Sequence, residues 1–121
     1  MKRILVVDDD PTIRELLSIR FEKKGYTVDT ASDGVEALAV ARESKPDLIV
    51  LDVSMPNMDG YSFVREVRWK EELKSVPILI VTAYLKTEKL FHESKGVAKF
   101  ISKPFDSNKL LDIVEDCIGV A

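Results

Sequence analysis

Acidic, hydroxyl and amine side chains follow the short apolar runs of this sequence. The triplet Asp8-Asp9-Asp10 follows the first run, Asp52 ends the third, Thr82 ends the fourth, and Lys103 follows the fifth. In an open sheet of parallel strands, the carboxyl ends of the strands lie at one edge, and ligands bind outside that edge. If the apolar runs are such strands, they bring carboxylates, a hydroxyl and an ammonium group to one place.

A cluster of carboxylates at this edge requires positive charge to neutralise it. Two carboxylates about 5 Å apart repel each other by roughly 3 kcal/mol at an effective dielectric constant near 20. Oxygen ligands favour Mg²⁺ or Mn²⁺, with water molecules completing the coordination shell. A zinc site is disfavoured, because the chain has one His and one Cys and no zinc-ligand spacing.

The same groups suit the transfer of a phosphoryl group. A carboxylate can act as a covalent nucleophile toward phosphorus. Phosphoryl transfer mainly requires positioning of the reactants and positive charge near the equatorial oxygens. A metal ion held by aspartates, one lysine and one hydroxyl donor would supply both.

Strands and helices must position these groups, and the sequence predicts that the two alternate along the chain. Its repeating unit is a short apolar run, a polar turn and an amphipathic segment of helical length. A continuous apolar run, such as residues 48–51, is typical of a strand that is buried on both faces of a parallel sheet. The predicted strands cover residues 3–7, 26–31, 47–52, 77–82 and 98–102.

Capping signals mark the predicted helix starts. Asp10-Pro11 is typical of an N-cap and a first helical residue, and residues 33–36 resemble a capping box in which Glu36 reaches back. The third helix begins near Gly60, a shorter one covers about residues 87–94, and Asp106 caps the last. The predicted buried face of the second helix comprises Val35, Leu38, Ala39 and Ala41.

Five strands that alternate with five helices predict a single α/β domain over residues 1–121. The right-handedness of parallel crossover connections places helices on both faces of the sheet, which makes the sheet doubly wound. The candidate site residues then lie at the edge where such folds bind ligands.

The composition excludes several other classes of protein. An apolar fraction of 45% and a net charge of −3 are typical of a globular chain rather than a disordered one. An isoelectric point near 5.2 argues against a nucleic-acid-binding surface. No apolar run approaches the roughly 18 residues of a membrane helix, and no N-terminal stretch resembles a signal peptide. The lone Cys117 cannot form an intrachain disulfide, so we expect a cytoplasmic protein.

Four motifs together resemble the response-regulator receiver domain of bacterial two-component signalling. They are residues 4–11 (Ile-Leu-Val-Val-Asp-Asp-Asp-Pro), residues 52–60 (Asp-Val-Ser-Met-Pro-Asn-Met-Asp-Gly), Thr82-Ala83 and Lys103-Pro104-Phe105. The motifs follow one another in the family's order and spacing along the whole chain. The resemblance implies the flavodoxin-like fold, a (βα)5 unit with strand order 2-1-3-4-5.

The resemblance also implies a role for each matching residue. Asp52 would accept a phosphoryl group, and Lys103 would pair with the phosphoryl oxygens. Mg²⁺ would be held by the carboxylates of Asp8, Asp9 and Asp52 and by the backbone carbonyl of Ser54. The implied chemistry is therefore the Mg²⁺-dependent phosphorylation of one aspartate.

A conformational switch is implied as well. Thr82 would move its hydroxyl toward the phosphoryl group, and Phe100 would follow it inward as an aromatic switch. The new charge would shift the population between two states. The surface that changes would comprise the predicted helix at 87–94, the fifth strand and the last helix.

The implied phosphodonor is a histidine kinase or a histidine phosphotransfer protein, and the implied output is binding to a downstream protein. Residues 1–121 hold no predicted DNA-binding domain after the last helix, so we expect no direct contact with nucleic acid and none with a membrane, and the sequence leaves open whether this domain is part of a longer protein. We expect a monomer or a weak dimer that forms on phosphorylation. The protein would catalyse only its own phosphorylation and dephosphorylation and would not be an enzyme in the ordinary sense.

Two other functions remain open. The spacing Asp8-x-Asp10-x-Thr12 after an apolar strand matches the nucleophile motif of haloacid-dehalogenase-type phosphatases, with Asp8 as nucleophile and Asp10 as general acid. Against it, the length leaves no room for a cap domain, no acidic pair follows the predicted fourth strand, and Asp52 has no role. The other is a receiver-like interaction module that is never phosphorylated. The sequence does not favour it, because it has all five site side chains, namely Asp8, Asp9, Asp52, Thr82 and Lys103.

Overall fold

Five parallel strands form one sheet in the order β2-β1-β3-β4-β5. The computed structural model describes residues 2–52, 60–70, 73–82, 97–102 and 106–120, with the backbone alone at 52, 60, 61, 82, 97–100, 102 and 107. The strands are β1 (Arg3–Val7), β2 (Thr27–Ala31), β3 (Leu48–Asp52), β4 (Ile78–Thr82) and β5 (Val97–Ser102). The helices are α1 (Pro11–Lys23), α2 (Gly34–Ser44), α3 (Gly60–Trp69) and α4 (Ser107–Ile118). The predicted fold class and strand order are confirmed.

All five predicted strands are present, and their bounds differ from the prediction by at most one residue. The second, third and fourth strands begin one residue later than predicted, and the fifth begins one residue earlier. The predicted helix at 87–94 lies outside the described residues. The helix named α4 here (Ser107–Ile118) is therefore the fifth and last of the predicted helices.

The inner strand β1, which lies between β2 and β3, contributes side chains to two hydrophobic clusters, one on each face of the sheet. Ile4 and Val6 pack in the cluster that includes residues of α1 and α4, and Leu5 and Val7 pack in the cluster that includes residues of α2 and α3. All four are at most 1% exposed. Successive side chains of a strand point to opposite faces, so a strand covered on both faces must be apolar at every position. This is why the apolar runs of the sequence do not alternate with polar residues.

Three helices begin at an aspartate that caps the N-terminus. Asp10 and Asp106 each accept a hydrogen bond from the backbone N–H two residues later, at 2.9 and 2.7 Å. Asp33 accepts one from the N–H of Glu36 at 2.8 Å. Glu36 reaches back as predicted, but its carboxylate accepts from the N–H and hydroxyl of Ser32, the residue before the cap. Each cap satisfies an N–H that lacks a partner inside its helix.

The buried face of α2 differs from the prediction, which was wrong for two of its residues. Val35 is 58% exposed and Ala39 is exposed, whereas Ala37 and Ala41 are fully buried. Gly34 is also buried, and these small residues recur at spacings of three and four, which place them on one stripe of a helix. Small side chains let the helix lie close to the sheet, so the larger Val35 is left on the solvent side.

No helix in the described part of the chain is both long and apolar enough to span a membrane. The longest described helix, α1, has 13 residues, and a membrane-spanning helix needs about 20.

Candidate functional site

The register of the sheet places the residues that follow β1 beside the end of β3. Val7 pairs with Leu51, so Asp8 and Asp52 are neighbours at the carboxyl edge. Adjacent strands lie about 4.8 Å apart. Asp52 in turn pairs with Val81 on β4. Two acidic residues that are 44 positions apart in the sequence are therefore brought together in adjacent strands, as predicted.

Among the residues that the structure describes, Asp8 is the charged residue that is buried, with 3% of its surface exposed. Its N–H donates to the carbonyl of Ala31 at 3.2 Å, which extends the pairing of β1 with β2 by one residue. Its Oδ1 accepts a hydrogen bond from the N–H of Asp10 at 2.9 Å. Burying a carboxylate is costly, and aspartates are rarely buried without a charged partner. A buried carboxylate at a sheet edge that binds ligands in this fold is typical of a functional site.

The other two residues of the acidic turn, defined here as residues 8–10, have different surroundings. Asp9 is exposed at the tip of the turn. Asp10 is exposed, and its Oδ1 accepts the hydrogen bond from Thr12 that caps α1. The interpretation of Asp10 as a helix cap is therefore confirmed. Asp8 and Asp9, which directly follow β1, remain the predicted metal ligands of this turn.

Arg14 is a residue of this site that the sequence analysis missed. Its Nη1 donates to the backbone carbonyl oxygen of Asp8 at 2.7 Å. Its own N–H donates to the carbonyl of Asp10 at 3.0 Å within α1. The sequence does contain one signal for this residue. A basic residue four positions after a predicted N-cap lies about one helical turn further along the helix than the cap. The guanidinium therefore carries positive charge to the backbone of the acidic turn.

The two strands beyond β3 carry the predicted switch residues. Thr82 ends β4 and pairs with Ser102, and Phe100 on β5 pairs with Ile80. The pairing of β4 with β5 contains an irregularity between Ile78 and Leu79, where β5 has one extra residue. Asp52, Thr82 and Phe100 thus lie on three successive strands of the sheet.

Several predicted site residues fall outside the described part of the chain. Ser54 and Lys103 are among them, although the described backbone of β5 ends at Ser102, directly before the lysine. The side chains of Asp52, Thr82 and Phe100 are likewise not described. The functional roles of these five residues therefore stay predictions.

The donor groups at the acidic turn fit a magnesium ion. The described residues alone contain no group of three His, Cys, Asp or Glu side chains that could hold a metal. They do place the buried residue Asp8 next to the backbone of Asp52, and the exposed Asp9 directly follows Asp8 in the chain. Carboxylate oxygens with room for water molecules are the ligands that Mg²⁺ favours. Asp8, Asp9 and Asp52 are the residues that would hold it.

Comparison with known proteins gives a consistent result. The family model of the response regulator receiver domain matches residues 4–115. Protein PilH of Pseudomonas aeruginosa is 35% identical over 115 residues, which cover 94% of this chain and 95% of that protein. Curated relatives named as transcriptional regulators are longer, and this chain spans only 42% to 46% of their length.

Solved structures agree over nearly the full length. Chemotaxis protein CheY4 of Vibrio cholerae superposes with a TM-score of 0.90 at 36% identity, over 97% of this chain and 98% of that one. The receiver domain of sensor histidine kinase PA1611 from Pseudomonas aeruginosa superposes with a TM-score of 0.88 at 31% identity, over 98% of both chains. That structure has a magnesium ion coordinated in its active-site cleft.

Proposed function

This chain belongs to the response regulator receiver domain family, whose members take phosphoryl groups from histidine kinases in two-component signalling, and from that premise we propose that residues 1–121 form a phosphorylation-dependent signalling domain. Asp52 is the proposed phosphoacceptor. One observation carries the proposal: the buried carboxylate of Asp8 lies in register beside Asp52 at the carboxyl edge of the sheet. Asp8 is the buried charged residue of the described part of the chain, and its place at the ligand-binding edge supports a role in this chemistry.

The proposed reaction transfers a phosphoryl group from a phosphohistidine, or from a small phosphodonor, to Asp52. A carboxylate oxygen of Asp52 forms a new bond to phosphorus, and the bond from phosphorus to the imidazole nitrogen or the small donor's oxygen breaks. The leaving group takes its proton from solvent. Lys103 pairs with the phosphoryl oxygens, and Asp8, Asp9 and Asp52 together with the Ser54 carbonyl would hold Mg²⁺. When bound, the ion supplies positive charge to the phosphoryl oxygens; Mn²⁺ has the same ligand preference and can replace it.

The proposed switch uses the strands next to Asp52. Thr82 lies at the end of β4, the strand that pairs with β3, and Phe100 lies on the next strand. We propose that the hydroxyl of Thr82 turns toward the phosphoryl group and that Phe100 follows. The response then alters the surface of β5, α4 and the predicted helix at 87–94, which is where a downstream protein binds. The domain works in the cytoplasm, as a monomer or as a weak dimer that forms on phosphorylation.

The phosphatase alternative has less support from the geometry. That mechanism needs the carboxyl group of Asp10 as a general acid that serves the leaving group. The Oδ1 of Asp10 instead accepts a hydrogen bond from the N–H of Thr12 at the start of α1. That oxygen is engaged in capping α1 and is not directed to a leaving group by any contact among the described residues. The proposed activity is therefore confined to the protein's own phosphorylation and dephosphorylation.

The test is incubation with acetyl phosphate and MgCl₂, followed by measurement of the intact protein mass. We expect one added phosphoryl group in the wild type and none in Asp52→Asn. Asp8→Asn should accept the group at least about tenfold more slowly, since metal ligands and their partners typically contribute that much. Asp112→Asn, which neutralises an exposed carboxylate on α4, is the matched control and should behave as the wild type.

Two outcomes would replace the proposal. Release of free phosphate that requires Asp8 but not Asp52 would establish the phosphatase. If neither acetyl phosphate nor a phosphorylated histidine kinase ever added a phosphoryl group, the chain would be an interaction module that is not phosphorylated.

A further inference from the structure

We propose that Arg14 is a positioning residue that sets the orientation of the acidic turn for binding of a divalent cation. This inference rests on the proposed function, because it assigns Arg14 to the metal site of that function. In this assignment, Arg14 has no part in the chemistry at the phosphoryl group. It acts through the backbone of Asp8.

The contact of Arg14 is with the peptide group that joins Asp8 to Asp9. The guanidinium Nη1 donates to the carbonyl oxygen of Asp8 at 2.7 Å, and that oxygen belongs to the Asp8–Asp9 peptide. The peptide group is planar, so the direction of the oxygen sets the direction in which the chain enters Asp9. A hydrogen bond from a charged donor is roughly twice as strong as one between neutral groups. Arg14 therefore helps to set the position of the Asp9 backbone, from which the exposed side chain of Asp9 extends.

The other contacts of the turn hold its two ends. The N–H of Asp8 donates to Ala31 at 3.2 Å, and the N–H of Asp10 donates to the side chain of Asp8 at 2.9 Å. The Oδ1 of Asp10 accepts from Thr12 at the start of α1. Arg14 adds a further contact at the peptide that joins Asp8 and Asp9, two of the predicted metal ligands. Arg14 itself is anchored, because it is half-buried and its N–H donates to the carbonyl of Asp10.

A guanidinium in this place has two possible effects on cation binding, and they have opposite signs. Its charge repels Mg²⁺, so removing the charge alone would tighten binding. Its hydrogen bond orients the ligands, so removing the bond would weaken binding. Loss of a hydrogen-bond partner outside the ligand shell typically weakens metal affinity by about 10–100-fold. We assign the second effect to Arg14, with a weakening of about tenfold.

The experiment compares Arg14→Met, Arg14→Lys and the control Arg20→Met by calorimetric titration of the metal-free proteins with MgCl₂. Arg14→Met keeps most of the apolar stem and removes both donor and charge, and Arg14→Lys keeps a charged donor. Arg20→Met removes an exposed arginine from the last turn of the same helix. We expect the dissociation constant to rise about tenfold in Arg14→Met, to rise less in Arg14→Lys, and to stay unchanged in the control.

Two further readouts separate positioning from a general loss of structure. The backbone amide signal of Asp9 in a metal-free NMR spectrum should move in Arg14→Met, while signals of β4 and α4 should not. Phosphorylation by acetyl phosphate should return close to the wild-type rate once MgCl₂ saturates the variant, because all the proposed ligands remain. If Arg14→Met does not fold, the comparison of Arg14→Lys with the wild type decides the question.

An unchanged or lower dissociation constant in Arg14→Met would overturn the proposal, and a lower one would show that charge repulsion is the larger effect. A wild type that binds Mg²⁺ but never accepts a phosphoryl group would refute the proposed function and leave the result on Arg14 standing. A wild type that phosphorylates normally beside an unaffected Arg14→Met would refute the positioning role alone. A wild type that binds no Mg²⁺ would refute both.

Discussion

The hydroxyl of Tyr26 donates a 2.7 Å hydrogen bond to the carbonyl oxygen of Gly119, 93 positions later in the chain. Tyr26 directly precedes β2 and is only 3% exposed, and Gly119 is the first residue after α4. The ring of Tyr26 packs edge-on against Phe21, with 6.4 Å between centroids. The amine of Lys2 donates to the neighbouring carbonyl of Ile118. Both contacts tie the end of α4 to the start of the sheet, at the opposite end from the acidic turn.

We expect Tyr26→Phe to lower the free energy of unfolding by about 1 kcal/mol, the usual net contribution of one hydrogen bond. The ring stays in place, so the packing against Phe21 is kept, and the loss reports the bond to Gly119. Urea denaturation monitored by circular dichroism measures the change. An unchanged urea midpoint would show that the bond adds nothing to the attachment of α4.

The same residue predicts a pH dependence of stability. Burial raises the pKa of Tyr26 above its usual value near 10, and the charge of Glu115 raises it further. Above about pH 10 the unfolded chain loses this proton while the folded protein keeps it, so stability falls as pH rises. We expect the loss of stability between about pH 9 and about pH 11 to be larger in the wild type than in Tyr26→Phe. The other tyrosines are common to both proteins, so equal losses would contradict the prediction.

Arg68 stabilises the connection that leads from α3 to β4. Its guanidinium donates to the backbone carbonyls of Leu73, Lys74 and Val76 at 3.1, 2.5 and 2.7 Å. Burial lowers the pKa of this guanidinium. We expect Arg68→Met to lower the free energy of unfolding by about 2 kcal/mol, because partly buried carbonyls lose a charged donor. Lys70→Met, at the same end of α3, is the control for loss of one cation, and equal urea midpoints in the two variants would contradict this role.

Lys45 closes α2 in a conformation that is unfavourable for its side chain. Its φ is 52° and its ψ is 67°, in the left-handed region that glycine adopts freely. The N–H of Lys45 still donates to Ala41 and ends the helix. We expect Lys45→Gly to raise the free energy of unfolding by up to about 1 kcal/mol, since the steric cost exceeds the entropy that glycine adds to the unfolded chain.

The matched control for Lys45→Gly is Lys24→Gly at the end of α1. Lys24 has a φ of −86° in the right-handed region, so glycine relieves nothing there. We expect this second variant to lose about 0.5–1 kcal/mol. Thermal unfolding of both proteins measures the contrast, and a loss of stability in both would show that Lys45 is not strained.

Addition of Mg²⁺ should stabilise the wild type and should stabilise Asp8→Asn much less. A ligand that binds only the folded state adds about 2.7 kcal/mol when its concentration is 100 times its dissociation constant. The Oδ1 of asparagine still accepts from the N–H of Asp10, so the turn is kept while the charge is removed. Thermal unfolding with MgCl₂ and with excess chelator measures the difference. Equal Mg²⁺-dependent shifts in the two proteins would exclude Asp8 from the metal site.

The sequence by itself determined the elements of this fold and the edge where its chemistry lies. Continuous apolar runs predicted the three inner strands β1, β3 and β4, because each of them is covered by hydrophobic clusters on both faces. Short-range signals predicted the caps at Asp10, Asp33 and Asp106, since each cap bonds within three residues of itself. The order of the motifs then pointed to Asp8 and Asp52 at one edge, and the register of β1 with β3 confirmed that these residues are neighbours.

Tertiary structure alone decided the contacts that join distant parts of the chain. The stripe of α2 that faces the sheet depends on how closely the helix packs, and the extra residue in β5 sets which positions lie opposite Ile80 and Thr82. The bonds from Arg14 to Asp8 and from Tyr26 to Gly119 end on backbone carbonyls. A carbonyl is present at every residue, so the choice of partner carries no signature in residue type. It follows only from the path that the packed chain takes.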